Sequence, residues 1–259
     1  MPPITFSDLA PMLVLGAALG LFGGVFGIGG GIIAIPVFVL GYGMDQPLAQ
    51  GTALVMMVPN LLVGWWRYAQ HHPVPAHRAI AIGVIACVTT WFMARFANAI
   101  SPKLLRLAFS LFLLGMAVQM LVQLRRFQPQ ADSPERLDPR LVPLVGLVGG
   151  SSMGLLGIGG GLLATPILTG LFGLRQTVAQ AFSLALVAPS SVVALLTYSG
   201  AQRVNWAMGL PMAASGLLTV SAGVALAHRL PERRMRQAFA WMLFSTALWL
   251  LLEPLVHRF

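Results

Sequence analysis

The stretch "GIGGGIIAIPVF", residues 27 to 38, decides how this chain is read. Four of its first five residues are glycine, yet it sits inside a run from Leu9 to Met44 without a single charged residue. Glycine in a helix interior costs roughly 1 kcal/mol relative to alanine. The run has 36 residues, and as one helix it would be ~54 Å long against a hydrocarbon layer of ~30 Å. Two full crossings and a turn would need more than about 40 residues. The length suits one crossing helix, a break at Gly27 to Gly31, and a short segment of about 14 residues, or ~20 Å.

Similar uncharged runs fill the chain: 46 to 66, 79 to 94, 107 to 124, 141 to 174, 176 to 202, 204 to 231 and 237 to 252. Of the 259 residues, 57% are hydrophobic and 9% charged, where a soluble domain carries about 25% charged residues. The runs are continuous rather than alternating, so the chain reads as an all-α polytopic membrane protein and not a barrel. The net charge of +9 comes from basic residues lying mostly in the gaps between runs. That is the pattern of membrane topology signals, and it argues for a lipid bilayer as partner and against nucleic acid. The first residues, "MPPITFSDLAPM", lack the basic region of a cleavable signal peptide.

The glycine stretch is written twice. Residues 20 to 68 align without a gap on 150 to 198, with seventeen of 49 positions identical. "GIGGGIIAIP" faces "GIGGGLLATP", Gln46 and Gln50 face Gln176 and Gln180, Pro59 faces Pro189, and Tyr68 faces Tyr198. A five-residue identity with a proline and two glutamines in register exceeds what membrane composition produces by chance. An internal duplication follows, as is common in transporters. It predicts a first transmembrane repeat over 1–124, a polar linker over 125–140 ("RRFQPQADSPERLDPR"), and a second repeat over 141–259. Each repeat is expected to hold about four membrane-crossing helices plus one short broken or re-entrant helical segment.

A helix broken at membrane depth is tolerated only where it is buried in protein or lines a wet cavity. A helix starting at Gly30 or Gly31 presents unpaired N–H groups and the positive end of its dipole. Without side chains in the way, an anion can approach those groups closely. The glycines are then half-helix N-termini aimed at a negatively charged substrate, one per repeat. The competing reading is close helix packing, which Gly16, Gly20 and Gly24 at four-residue spacing resemble.

The seven acids are Asp8, Asp45, Asp132, Glu135, Asp138, Glu232 and Glu253, all at run ends or in gaps. A cation pathway or carboxylate proton relay places acids within the spans, so the substrate sign is negative. Neutral hydrogen-bonding groups line the interior instead. The candidate substrate-binding set is Gly29, Gly30, Gly31, Gln50, Thr52, Asn60, Gly159, Gly160, Gly161, Gln180, Ser183 and Ser190. Each polar side chain could equally serve helix–helix hydrogen bonding. Gln50 and Gln180 stand out as large, polar and matched.

No Walker A sequence, nucleotide fingerprint or nucleophile motif occurs, so neither enzyme nor ATP-driven pump is expected, and no cofactor. The single Cys87 excludes an internal disulfide, and His71, His72 and His77 have no carboxylate or cysteine nearby, so no metal is expected.

With its two "GIGGG…P" segments, "AQGTALVMMVPN" and "AQAFSLALVAPS" after them, and a late "RVNW", the chain resembles the TauE/SafE family, the sulfite exporter or toluene-sulfonate uptake permeases. The resemblance covers nearly the whole chain. It implies a multi-pass protein of the cell inner (plasma) membrane that moves a small oxyanion such as sulfite or an organosulfonate, commonly outward. A non-transporting membrane scaffold or assembly protein, and an anion channel, are the alternatives. Self-association into a homo-oligomer is left open. Where the first copy has "GTAL" the second has "AFSL", so Thr52 faces Phe182 and the half-sites need not be equivalent. Basic loops at 95–106 and 229–236 hold matched places; if both are cytoplasmic, the copies share one orientation with an even number of crossings each. Five crossings per copy would instead invert the repeat.

Overall fold

The computed structural model describes residues 6–26, 30–71, 74–125, 138–227 and 232–256. Among them the chain is all-helical. Ten α-helices follow one another: α1 (Phe6–Phe26), α2 (Gly31–Tyr42), α3 (Gln46–His71), α4 (Ala76–Ala99), α5 (Pro102–Arg125), α6 (Val145–Leu156), α7 (Gly161–Gly170), α8 (Gln176–Gly200), α9 (Trp206–Ala227) and α10 (Glu232–Val256). A 3-10 turn, Pro139–Leu144, leads into α6. Most of the polar linker lies outside the described residues.

Backbone chemistry places the boundaries. Gly30 caps α2 at φ 81° and Gly43 ends it at φ 62°, both left-handed conformations that glycine adopts without strain. After α2 the Asp45 Oδ1 accepts the Leu48 N–H at 3.2 Å and caps α3. In the second half Gly157 and Gly173, both at φ 65°, are left-handed, and the Gly157 N–H closes α6 onto the Met153 carbonyl at 3.0 Å. The helices α3, α4, α5 and α8 are long and apolar enough to cross a bilayer. At 12 and 10 residues, α2 and α7 reach only about half-way. The first helix of the second half is not continuous like α1. Pro139 and Pro143 withhold two N–H donors, and the segment opens as the 3-10 turn before becoming α6.

Small residues weld the helices together in two parallel pairs. A Cβ on Gly16 of α1 would lie 2.5 Å from the Met212 Cα of α9, and one on Gly20 would lie 2.5 Å from the Gly216 Cα. Thr219 donates to the Ala17 carbonyl at 2.7 Å. On the other side, Gly146, Gly150 and Gly154 of α6 run along Ile82, Ala86 and Thr90 of α4, and Thr90 donates to the Gly150 carbonyl at 3.0 Å. Side chains would hold these backbones apart, and the hydroxyls add the bonds that bind membrane helices.

The centre of the molecule is α3 crossing α8, each 61% buried along its apolar window against 28% for α4. Gln50, near the start of α3, meets Tyr198 near the end of α8, whereas Tyr68, near the end of α3, meets Thr177 at the start of α8. The two helices therefore run in opposite directions. Gly51 and Gly209 place α3 parallel to α9; Gly83 against Ala185, with Trp91 and Asn98 further along lining one cleft with Val193 and Gly200, places α4 parallel to α8. It follows that α4 and α9 are antiparallel as well. The matched helices α3 and α8, and α4 and α9, thus point opposite ways, which is the inverted one of the two arrangements that the sequence left open.

Candidate substrate site at the paired helix breaks

The two breaks pack in the same way, although Gly30 is left-handed at φ 81° and Gly160 right-handed at φ −53°. Gly30 rests on α1, where a Cβ would sit 2.9 Å from the Leu19 carbonyl oxygen and 3.1 Å from Met56 Cε. Gly160 rests on α6, where a Cβ would run into the backbone of Gly149. In each case the contact is eleven residues upstream, so each short helix begins beside the middle of the helix before it. In α7 the N–H groups of Leu162, Leu163 and Ala164 turn back onto the Gly159 and Gly160 carbonyls. The same geometry recurs in α2, where Ile33 and Ala34 donate to Gly30. The donors ahead of these, at Gly31 and Gly161, point out of the helix starts, where the dipole is positive.

Both starts meet one side chain. A Cβ on Gly31 would collide with Met57 Sδ, and a Cβ on Gly159 would lie 4.0 Å from Met57 Cε. Met57 is fully buried and fills the gap between the two glycine clusters. From α8, Val187 closes the same gap at 3.4 Å from the Gly159 Cβ position, and Ser183 Oγ lies 2.7 Å from that of Gly161.

Of the candidate residues, Gly30, Gly31, Gly159, Gly160, Gly161 and the buried Ser183 gather here; Gly29 lies outside the described residues. Gln50 is fully buried against Gly157, its Oε1 accepting the Tyr198 hydroxyl at 2.7 Å and its Nε2 without a partner. Asn60 keeps both amide atoms buried and unpartnered. Thr52 is turned to another task, its Oγ1 accepting the Asn205 N–H at 3.0 Å to fix the loop before α9. Ser190 donates to the Val187 carbonyl of its own helix at 3.2 Å. Gln180 is exposed, unlike its match Gln50.

Four participating residues escaped the sequence reading. Tyr198 also donates toward the Gly154 carbonyl at 3.1 Å, joining α8, α3 and α6. Gln46, 1% exposed, has neither amide atom partnered, and its identity with Gln176 was the signal. Asp45 and Arg203 pair at 2.7 Å, which their separation in the chain conceals. Among the described residues no group of His, Cys, Asp or Glu is placed to hold a metal ion.

A polytopic helical membrane protein with two short helices starting in its interior is the architecture of a membrane transporter, and the comparisons agree. The family model for the sulfite exporter TauE/SafE matches residues 12–250. The chain belongs to that family. It is 27% identical to a probable membrane transporter protein of Methanocaldococcus jannaschii, over 95% of this chain and 97% of the relative. Probable membrane transporter proteins of Xylella fastidiosa strain Temecula1 (25% identical, 92% of this chain and 91% of the relative) and Haemophilus influenzae (25%, 94% and 98%) are similar along their length.

Proposed function

We propose that this membrane transporter is a secondary transporter that exports a small oxyanion, sulfite or an organosulfonate, across the cell inner membrane. Its substrate binds between the starts of α2 and α7 once the flexible Met57 side chain turns aside, held by backbone N–H groups of Gly31 and Gly161 and by the Gln50 amide and Ser183 hydroxyl. The observation that carries the reading is the meeting of two positive helix ends across Met57, in a buried centre that holds no carboxylate among the described residues. Such a site favours negative charge without a cation to trap it.

The transport machinery is read as two inverted copies, 1–124 and 141–259, joined by the 125–140 linker. Support comes from the antiparallel α3 and α8 and from the exchanged pairs α1 with α9 and α6 with α4. Inverted repeats with discontinuous helices are a recurrent transporter plan. Packing alone accounts for Gly16, Gly20 and Gly160. It leaves unexplained why Gln46 and Gln50 carry unpartnered buried amide atoms, a standing cost that a scaffold has no reason to keep.

The test is calorimetric titration of the purified protein with sulfite, ethanesulfonate, sulfate and, as cation control, tetramethylammonium. Saturable heats for the first two with none for the cation support the reading. Absence of heat for every anion, in protein that melts cooperatively, rejects it.

A further inference from the structure

We propose that this conformation holds the oxyanion route shut at its Gln46–Gln50 end and open at its Gln176–Gln180 end, with Tyr198 and the Asp45–Arg203 pair as the gate. The inference rests on the transport reading above and adds the state of the protein and the residues that set it.

One face of α3 carries Gln46, Gln50, Ala53, Met57 and Asn60, spaced three and four residues apart so that they stack in a single stripe. The matched stripe on α8 is Gln176, Gln180, Ser183, Val187 and Ser190. Both stripes reach the helix breaks, Met57 at Gly31 and Gly159, Val187 at Gly159 and Gly161. Because α3 and α8 are antiparallel, the two glutamine pairs lie at opposite ends of one line through the site.

Those ends differ. Gln46 and Gln50 are 1% and 0% exposed, while Gln176 and Gln180 are exposed. Identity at two matched positions thus goes with one buried end and one exposed end, here called the dry and the wet end. At the dry end Tyr198, 0% exposed, ties Gln50 to the Gly154 carbonyl. Outside it, Arg203 Nη1 meets Asp45 Oδ2 at 2.7 Å, bridging the turn before α3 to the loop before α9. At the wet end the matched tyrosine, Tyr68, donates to the Thr177 carbonyl at 3.2 Å and lies partly exposed. The residue matched to Asp45 is Arg175, so the ion pair has no equivalent carboxylate there.

The asymmetry therefore has a cause in the sequence: one end can be latched by an ion pair and the other cannot. A pair with both side chains 36% exposed is a weak latch, suited to repeated opening. The unpartnered amides behind it meet water or an oxyanion when it opens, which favours the open form.

Single cysteines replacing Gln46 or Gln180, in a Cys87→Ala background, are reacted in nanodiscs with a charged methanethiosulfonate reagent. Gln46→Cys removes no hydrogen bond, so it leaves the gate intact. Expected is modification at position 46 slower than at 180 by at least about tenfold, as for a minor open state. Tyr198→Phe and Arg203→Gln should each raise the rate at 46 several-fold and lower it at 180. Equal rates at 46 and 180 with the gate intact would overturn the proposal. So would an unchanged rate at 46 in both gate variants, each shown by melting to be folded. The labelling needs no flux, so a failed gate with saturable sulfite flux, or a working gate without flux, tells which of the two readings has gone.

Discussion

Adjacent glycines at the second break should respond oppositely to one methyl group. A Cβ at Gly160 would enter the backbone of Gly149, and neither helix can yield cheaply because α6 is also fastened to α4 through Thr90. Overpacking of this kind costs about 1–3 kcal/mol or more. At Gly159 the nearest atoms to the new methyl are Val187 Cγ1 at 3.4 Å and Met57 Cε at 4.0 Å, ordinary contact distances. Gly159 is not among the glycines with positive φ, so alanine there should be neutral or gain about 0.4–1 kcal/mol from the unfolded chain. The same methyl stands between the starts of α2 and α7, where the anion is proposed to sit. Losing even one charge-assisted hydrogen bond, about 1.5–3 kcal/mol, lowers affinity at least tenfold. Gly160→Ala should therefore show low membrane-inserted yield and a lowered melting temperature. Gly159→Ala should insert and melt normally and bind sulfite at least tenfold more weakly. Equal stability of both variants would refute the packing argument, and normal sulfite affinity in Gly159→Ala would refute the site.

Gln46→Met removes two unpartnered buried amide atoms and should raise the melting temperature, by a gain of about 1–3 kcal/mol, while slowing sulfite transport; a lowered melting temperature would show the amide to be satisfied. Thr52→Val loses the acceptor of the Asn205 N–H and should destabilise by about 1–3 kcal/mol without changing which anion binds, as read by competition among sulfite, sulfate and ethanesulfonate. Gly20→Leu forces α1 off the Gly216 backbone of α9 and should abolish stable insertion, whereas Gly41→Ala, with open space around it, should not.

The helix breaks were legible because four glycines within five residues of an uncharged run have few other physical uses. Their convergence was not, since α2 and α7 meet through Met57, a residue whose type says nothing of its place between two glycine clusters. Gly160 was read as a bare contact for an anion, but its glycine is required by the Gly149 backbone, a neighbour that appears only once α7 folds back along α6. Gln50 and Gln180 were indistinguishable as letters. Their difference in burial depends on what the folded chain lays over each of them, which no local pattern of residues states. A few basic residues left open which way the matched helices run, whereas in the folded chain α3 and α8 are antiparallel, as Gln50–Tyr198 and Tyr68–Thr177 show. The Asp45–Arg203 pair joins residues 158 apart, beyond any local pattern.

The measurement that tests the central claim most directly is efflux of radiolabelled sulfite from proteoliposomes loaded with it, compared with protein-free liposomes and with the Gly159→Ala protein. The account predicts efflux that saturates with internal sulfite, is slowed by ethanesulfonate, and falls at least tenfold in the variant. Efflux no faster than from protein-free liposomes, with sulfite and with ethanesulfonate alike, would contradict it, as would efflux that rises without limit and is indifferent to the methyl at position 159.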